Sequence, residues 1–188
     1  MNALPQYTAN VQNLAIHFVR ECSSGRRENL PVLLLHGWPY SFHSFHEVVQ
    51  RLAHPERFGG KIEDGVDVVV PSMPGYDFSS APERVIGPKA VLHMYNELMV
   101  SVLGYDRYAA HGGDWGSNIS ELQGYHHGDH CVAIHITMSS VRHHGAAVRS
   151  GGVSGSAPRD ASDEEKAFAE DEMKRWEAES GYQAQQTT

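Results

Sequence analysis

Cysteine is scarce in this chain. Of 188 residues only Cys22 and Cys131 carry a thiol. That is too few for the disulfide framework of a small secreted domain, and both fall in strand-like surroundings, so free thiols in a reducing compartment are expected. No run of 18 apolar residues occurs, and no basic stretch followed by an apolar leader opens the chain. The expectation is a soluble, cytoplasmic protein with no membrane segment. Positive charge is also short. Fifteen Lys and Arg face 23 Asp and Glu, a formal net charge of −8, which argues against a nucleic-acid partner and names no substrate. Charged residues are 20% and hydrophobic ones 40%, the balance of a globular chain long enough for one domain with a real core. No internal repeat is visible.

Histidine, by contrast, is abundant at 13. The densest patch is His126, His127, Asp129, His130 and Cys131. His126 and His130 are four apart, the spacing of two ligands on one helix face, but Gly128 interrupts any helix there. A solvated turn is the better reading, and neither a metal nor a cofactor is expected.

One stretch organises the rest: Tyr108-Ala109-Ala110-His111-Gly112-Gly113-Asp114-Trp115-Gly116-Ser117. Its left half reads as the end of a buried strand and its right half begins a helix. Between them Gly112-Gly113-Asp114-Trp115-Gly116 forms a G-x-D-x-G pattern. A very tight strand-to-helix turn strains its central residue and needs small residues two before and two after it. A carboxylate held at that apex can act as a nucleophile without first losing a proton. Taken alone, the pattern also fits an ordinary Gly/Asp turn.

The surrounding chain alternates strands and helices. Residues 8–19 read as a hairpin turning at Gln12-Asn13. Residues 32–35 and 66–70 are apolar without alternation, as in parallel strands buried on both faces. Phe42, Phe45, Val48, Val49 and Leu52 predict a helix over 44–53, and 55–65 reads as a loop. Residues 71–87 are irregular. Apolar spacing predicts a helix over 89–103 with Gly104 at its C-cap. Residues 107–110 form the strand before the turn, 115–123 the helix after it, and 131–137 a further buried strand. This order gives a doubly wound, mostly parallel sheet, with any ligand at the carboxyl ends of its strands. Residues 145–161, rich in Gly, Ser and Ala, read as a flexible connector. Ser162 and Glu165 have capping-box spacing, and a helix with Ala169, Met173 and Trp176 on one face follows.

Two further blocks stand at strand ends: His36-Gly37-Trp38-Pro39, and Pro71-Ser72-Met73-Pro74-Gly75-Tyr76-Asp77-Phe78-Ser79. With Gly113-Asp114-Trp115-Gly116-Ser117, in this order and spacing, the chain resembles the α/β-hydrolases. More narrowly it resembles the epoxide hydrolases related to the microsomal and juvenile-hormone enzymes. The resemblance implies 1–144 as the N-terminal part of the core, 145–161 as a connector and 162–188 as the start of a helical cap. It implies that Asp114 attacks an epoxide carbon to form an ester, which a His-activated water then hydrolyses to a diol. It makes the backbone N–H groups of Trp38 and Trp115 the oxyanion donors, with a cis peptide before Pro39. Gly112, Gly113 and Gly116 would form the elbow, while His36, Gly37 and Pro39 support the oxyanion loop. Tyr76 and Phe78 would line or support the pocket. The partners would be a small apolar epoxide and water.

His36 is not expected to be the base, because in this fold the base follows the acid and the acid follows the nucleophile. His111 is expected to be structural. The chain departs from the family pattern in one respect: no His occurs after His144. The later acidic residues gather in the predicted cap helix, where they read as a solvated face. The expectation is therefore an incomplete fold, shortened at both ends and without its last core strands, base, acid and cap tyrosines. Such a chain would be close to inactive alone, and an open sheet edge would favour self-association. Two other readings stay open: a haloalkane dehalogenase-like enzyme using the same Asp ester, and a non-catalytic remnant.

Overall fold

A computed structural model describes residues 4–25, 28–138 and 161–179. The chain divides into two compact units, Met1–Met138 and Ser139–Thr188.

The first unit opens with the expected hairpin, β1 (Gln6–Val11) against β2 (Leu14–Glu21). Gln12 and Asn13 both have positive φ, 49° and 67°. Two central residues at positive φ define the turn whose twist matches that of the flanking strands. β3 (Val32–Leu35) and β4 (Val68–Pro71) are the buried parallel strands that the apolar runs predict. α1 (His46–Ala53) starts two residues later than expected. The preceding turn is 3₁₀, Phe42–Phe45, because the Ser41 hydroxyl caps it by accepting the His43 N–H at 3.2 Å. The expected loop over 55–65 holds two short 3₁₀ turns, Pro55–Phe58 and Ile62–Asp64.

α2 (Pro88–Glu97) does not run regularly to Leu103. It widens into a π-helical turn, Leu98–Val102, with the Leu103 N–H bonded to the Leu98 carbonyl five residues back. Gly104 then ends it at φ 76°, the left-handed cap position. β5 (Tyr108–Gly112) extends two residues beyond expectation, and α3 (Trp115–His126) three.

β6 (Cys131–Ile136) corrects the expectation of a buried strand. Cys131 is buried, but Ile134 is 43% exposed. Five apolar residues in six made the run look buried. Burial depends on what lies over the strand, and that information is not in the strand. β6 is also the last strand in the sheet, and among the described residues nothing pairs with its outer edge.

The sheet order is β1-β2-β4-β3-β5-β6, antiparallel among β1, β2 and β4 and parallel from β4 to β6. Leu33 and Leu35 face one buried cluster, formed with α2 and α3. Leu34 faces the other, formed with Phe42, Val49 and Ala53. Helices therefore cover both faces, as in a doubly wound sheet. The chain steps from β3 to β4 on one side and returns to β5 on the other. That reversal opens a crevice at the carboxyl ends of β3 and β5.

In the second unit α4 (Asp163–Glu179) begins with the expected capping box. The Ser162 N–H donates to Glu165 Oε2 at 2.7 Å, and the Glu165 N–H to Ser162 Oγ at 3.2 Å. The side chains of Met173 and Trp176, and the expected connector apart from Ala161, lie outside the described residues. No helix among the described residues is long and apolar enough to cross a membrane.

The hairpin turn gives a direct test. Asn13→Val places a β-branched residue at positive φ and should cost about 1–2 kcal/mol in urea unfolding. Asn13→Gly should be neutral or stabilising. Equal midpoints for the two variants would contradict the turn geometry.

Candidate active site

The crevice is built from backbone before any side chain enters it. Parallel register sets Leu35 beside Gly112, so β3 and β5 end together. After β5 the chain reverses into α3 within two residues. Asp114 at the apex has φ 52° and ψ −125°, a sparsely populated conformation that costs about 1–3 kcal/mol outside glycine. Four hydrogen bonds hold the reversal in place. The Ser117 N–H donates to the Asp114 carbonyl at 3.0 Å, and the Thr137 N–H to the Gly112 carbonyl at 3.2 Å. The Ser117 hydroxyl also donates to the Gly112 carbonyl, at 2.9 Å, and accepts the Met138 N–H at 3.3 Å.

The glycines of the elbow are there for space. A Cβ on Gly116 would run into the Leu35 carbonyl and sit 3.0 Å from the His36 carbonyl oxygen. One on Gly112 would meet the Gly116 carbonyl, and one on Gly113 would sit 2.9 Å from the Thr137 hydroxyl. Gly37 does the same for the loop after β3, since its Cβ would overlap the Asp114 side chain.

That vacancy brings the two loops together. The Trp38 N–H donates to Asp114 Oδ1 at 2.8 Å, a short, charge-assisted bond. The Trp38–Pro39 peptide is cis. Trp115 is the first residue of α3 and adjoins the carboxylate in sequence. Trp38 and Trp115 are each exposed by somewhat under half.

His36 lies behind this loop, 3% exposed. Its Nε2 accepts the Met73 N–H at 3.1 Å, and its Nδ1 lies 3.2 Å from the Gly37 carbonyl oxygen. Burial lowers its pKa against the opposing pull of the Gly37 carbonyl and Asp77. Tyr76 packs edge-on against the His36 ring at 5.6 Å. Burial raises the Tyr76 pKa, and the Asp114 charge adds to the rise. The three sequence blocks thus converge: the loop after β3, the loop after β4 and the elbow after β5.

Asp77 has φ 48°, the chain turns there, and Phe78 packs edge-on against His17 at 5.1 Å and tilted against Phe42 at 6.1 Å. His111 pairs with His135 on β6, Nδ1 to Nδ1 at 2.8 Å, with Phe45 against its ring at 6.0 Å. Sequence reasoning missed Met73, whose contribution is a backbone N–H, and Thr137, which reaches the elbow only through strand pairing. Ser117 was visible beside the motif, though its double bonding was not. His127, in the histidine-rich patch, pairs with His93 of α2 at 2.9 Å. Among the described residues no group of three or more His, Cys, Asp or Glu is placed to hold a metal ion.

Residues 31–171 match the family model described as alpha/beta hydrolase fold, and residues 1–45 that described as Epoxide hydrolase N terminus. The chain belongs to the α/β-hydrolase fold family. Within it the chain is similar to epoxide hydrolases. It is 31% identical over 146 residues to Epoxide hydrolase 1 of Sus scrofa, covering 75% of this chain and 32% of that protein. It is 33% identical over 142 residues to the juvenile hormone epoxide hydrolase of Bombyx mori, covering 74% and 30%. The Aspergillus niger epoxide hydrolase structure superposes with a TM-score of 0.67 at 32% identity, covering 87% of this chain and 38% of that one. The chain spans about a third of the length of the curated relatives it matches.

Two outcomes follow from the site. Gly116→Ala should cost about 3 kcal/mol or more, because the clash is with backbone that cannot give way. At Gly59, where nothing lies within 4 Å and only its positive φ matters, Ala should cost about 1–2 kcal/mol. Chemical denaturation of both variants reads the difference, and an equal loss would contradict the close approach. His17, His36, His111 and His127 all have pKa values lowered from 6.5, chiefly by burial. The unfolded chain binds protons at these positions at a higher pH than the folded one. Their contribution to stability is therefore complete above the unfolded value and is lost as pH falls below it. The thermal midpoint should decline as pH drops below about 6.5. A midpoint flat across that range would contradict neutral burial of these rings.

Proposed function

We propose that this chain carries the nucleophile half of an epoxide-hydrolase site, with Asp114 as the nucleophile. The observation that carries the reading is the 2.8 Å bond from the Trp38 N–H to Asp114 Oδ1. It holds one carboxylate oxygen and leaves Oδ2 to attack. In the first step Oδ2 bonds to an epoxide carbon, the carbon–oxygen bond of the ring breaks, and the ring oxygen leaves as an alkoxide that takes up a proton. The product is a hydroxyalkyl ester of Asp114. In the second step water adds to the ester carbonyl carbon and gives up a proton to a base, and negative charge develops on Oδ1; the intermediate then collapses, the Cγ–Oδ2 bond breaks, and the diol leaves with Oδ2 and a proton as the carboxylate is restored. The Trp38 N–H already faces Oδ1, and the Trp115 N–H is the second donor of the proposal. Gly37 leaves the space for the carboxylate. Tyr76 stands beside it as a pocket-lining ring.

The named relatives are epoxide hydrolases, which favours an epoxide over a haloalkane as the electrophile. The second step needs a base that removes a proton from water. The resemblance places that base later in the chain than the acid, and this sequence has no His after His144. Loss of one member of a catalytic triad costs on the order of 10⁴–10⁶ in rate. The chain by itself should therefore be alkylated once and turn over slowly or not at all.

Intact-mass spectrometry after incubation with styrene oxide tests this, with peptide mapping and Asp114→Asn alongside. The expected result is one adduct mapped to Asp114, absent from the variant, without sustained diol. Adducts distributed alike on both proteins would overturn the nucleophile assignment. Sustained diol from the purified chain would overturn its inactivity.

A further inference from the structure

We propose that Ser24, His54 and Glu21 form a second nucleophilic site, an acyl-transfer centre independent of Asp114. Ser24 is its nucleophile, His54 the general base and Glu21 a positioning residue. The site lies at the other end of the sheet. β2 runs antiparallel to β4, and Glu21 stands opposite Val68, the first residue of β4. The elbow stands at the carboxyl ends of β3 and β5 instead.

The three side chains form one hydrogen-bonded line. His54 Nε2 lies 2.8 Å from Glu21 Oε1, and His54 Nδ1 lies 3.0 Å from Ser24 Oγ. A carboxylate can only accept, so the ring proton sits on Nε2. Nδ1 is then the bare nitrogen, and the Ser24 hydroxyl donates to it. This is the order of nucleophile, base and orienting acid that activates a serine. The roles of the two ring nitrogens are exchanged relative to the serine-protease arrangement.

The surroundings fix the line. His54 ends α1, its N–H bonded to the Gln50 carbonyl at 2.9 Å, and it is 6% exposed. The loop that carries Ser24 is pinned on both sides. The Ser23 N–H donates to Asp67 Oδ1 at 2.7 Å. A Cβ on Gly25 would run into the Gly65 carbonyl, so the two backbones pass in contact. Glu21 Oε2 is buried and, among the described residues, has no hydrogen-bond partner. An unpaired buried carboxylate oxygen is costly, and a merely structural contact to His54 does not call for it. Ser24 itself is exposed, as a nucleophile must be.

The step balances with these groups alone. Ser24 Oγ bonds to the acyl carbon of an ester while its proton passes to His54 Nδ1. The bond from that carbon to the leaving oxygen breaks, and the leaving group takes the proton from Nδ1. Water then adds to the acyl carbon and gives a proton to Nδ1. Ser24 Oγ departs and takes that proton, and a carboxylic acid is released. In each half the ring becomes an imidazolium, faced by Glu21 and by Glu56 Oε1 3.8 Å from Nδ1. Because Ser24 stands on an open loop, the fitting donor is a small ester with a good leaving group.

The test uses the full chain and diisopropyl fluorophosphate, which loses fluoride as it forms a stable phosphoryl ester with an activated serine. Peptide mapping compares Ser24 with Ser80, an exposed serine of the same chain. Ser24 should be labelled on the order of 100-fold faster, the scale of general-base assistance. Equal labelling would overturn the proposal, and this comparison needs no variant to fold. His54→Gln should bring Ser24 down to the rate of Ser80, and an unchanged rate in the folded variant would remove His54 as the base. Release of p-nitrophenolate from p-nitrophenyl acetate should fall in Ser24→Ala, and equal release would overturn acyl transfer. Long-range imidazole spectra should show His54 protonated on Nε2. Glu21→Gln, which can donate as well as accept, should move part of that population to Nδ1. A proton already on Nδ1 in the wild-type chain, or a population that does not move, would overturn the role of Glu21.

Discussion

The site depends on how closely two stretches of backbone pass. The end of β3 and the start of α3 approach until Gly116 lies against the Leu35 and His36 carbonyls, with no room for a methyl group. Every later feature follows from that approach. It brings the loop after β3 within reach of Asp114, so a main-chain N–H can bond its carboxylate. It forces the reversal at Asp114 to be abrupt, with φ 52°. The conformational cost, about 1–3 kcal/mol, is borne by a turn whose carbonyls and N–H groups are bonded to Ser117, Thr137 and Met138. A looser packing of β3 on α3 would relieve the strain and lose the donor together.

This explains which parts of the site could be read from sequence. Gly112, Gly116 and Asp114 are local demands: a tight turn needs small residues at fixed offsets, so the pattern carries its reason with it. His36, Gly37 and Trp38 were legible only as a block. Nothing in their spacing says that the Gly37 side faces a carboxylate 77 residues away. Parallel strand order and its carboxyl-end crevice were legible because apolar runs alternate with helical periods. The packing of Phe78 on His17 and Phe42 was not, since it depends on positive φ at Asp77, which a non-glycine residue does not announce. The π turn at Leu98–Val102 was hidden for a different reason. One widened turn shifts few side chains, so the apolar spacing still reads as a regular helix. The His111–His135 pair required the register between β5 and β6, a tertiary fact.

The abundance of histidine has a structural meaning in this core. His17 is 4% exposed. Its ring bonds Ser72 Oγ through Nδ1 at 2.8 Å and Gln6 Oε1 through Nε2 at 3.0 Å, joining β1 and β2 to the start of the loop after β4. His36 joins the ends of β3 and β4 in the same manner. A neutral imidazole offers one donor and one acceptor on opposite sides of a rigid ring. It can therefore tie strands to the loop beyond the point where their sheet ladder ends. Lysine or arginine would bring charge into the same space and could not accept. Burial depresses the pKa of both rings, which keeps the acceptor nitrogen available.

On the proposed reading, the Trp38 donor acts differently in the two steps. Its bond to Oδ1 stabilises the free carboxylate, and attack on an epoxide begins from that stabilised state. A donor of this kind helps the first step only by orientation. In the second step the same oxygen passes from a neutral ester carbonyl to a full oxyanion, and the bond strengthens as charge develops. Only interactions stronger in the transition state than in the ground state accelerate a step. The geometry around Asp114 is therefore better matched to hydrolysis of the ester than to its formation. Placing the nucleophile needs β3, β5 and α3, all of which this chain holds. Hydrolysis needs a base as well, and so the largest benefit of the Trp38 amide is realised only where a base completes the site.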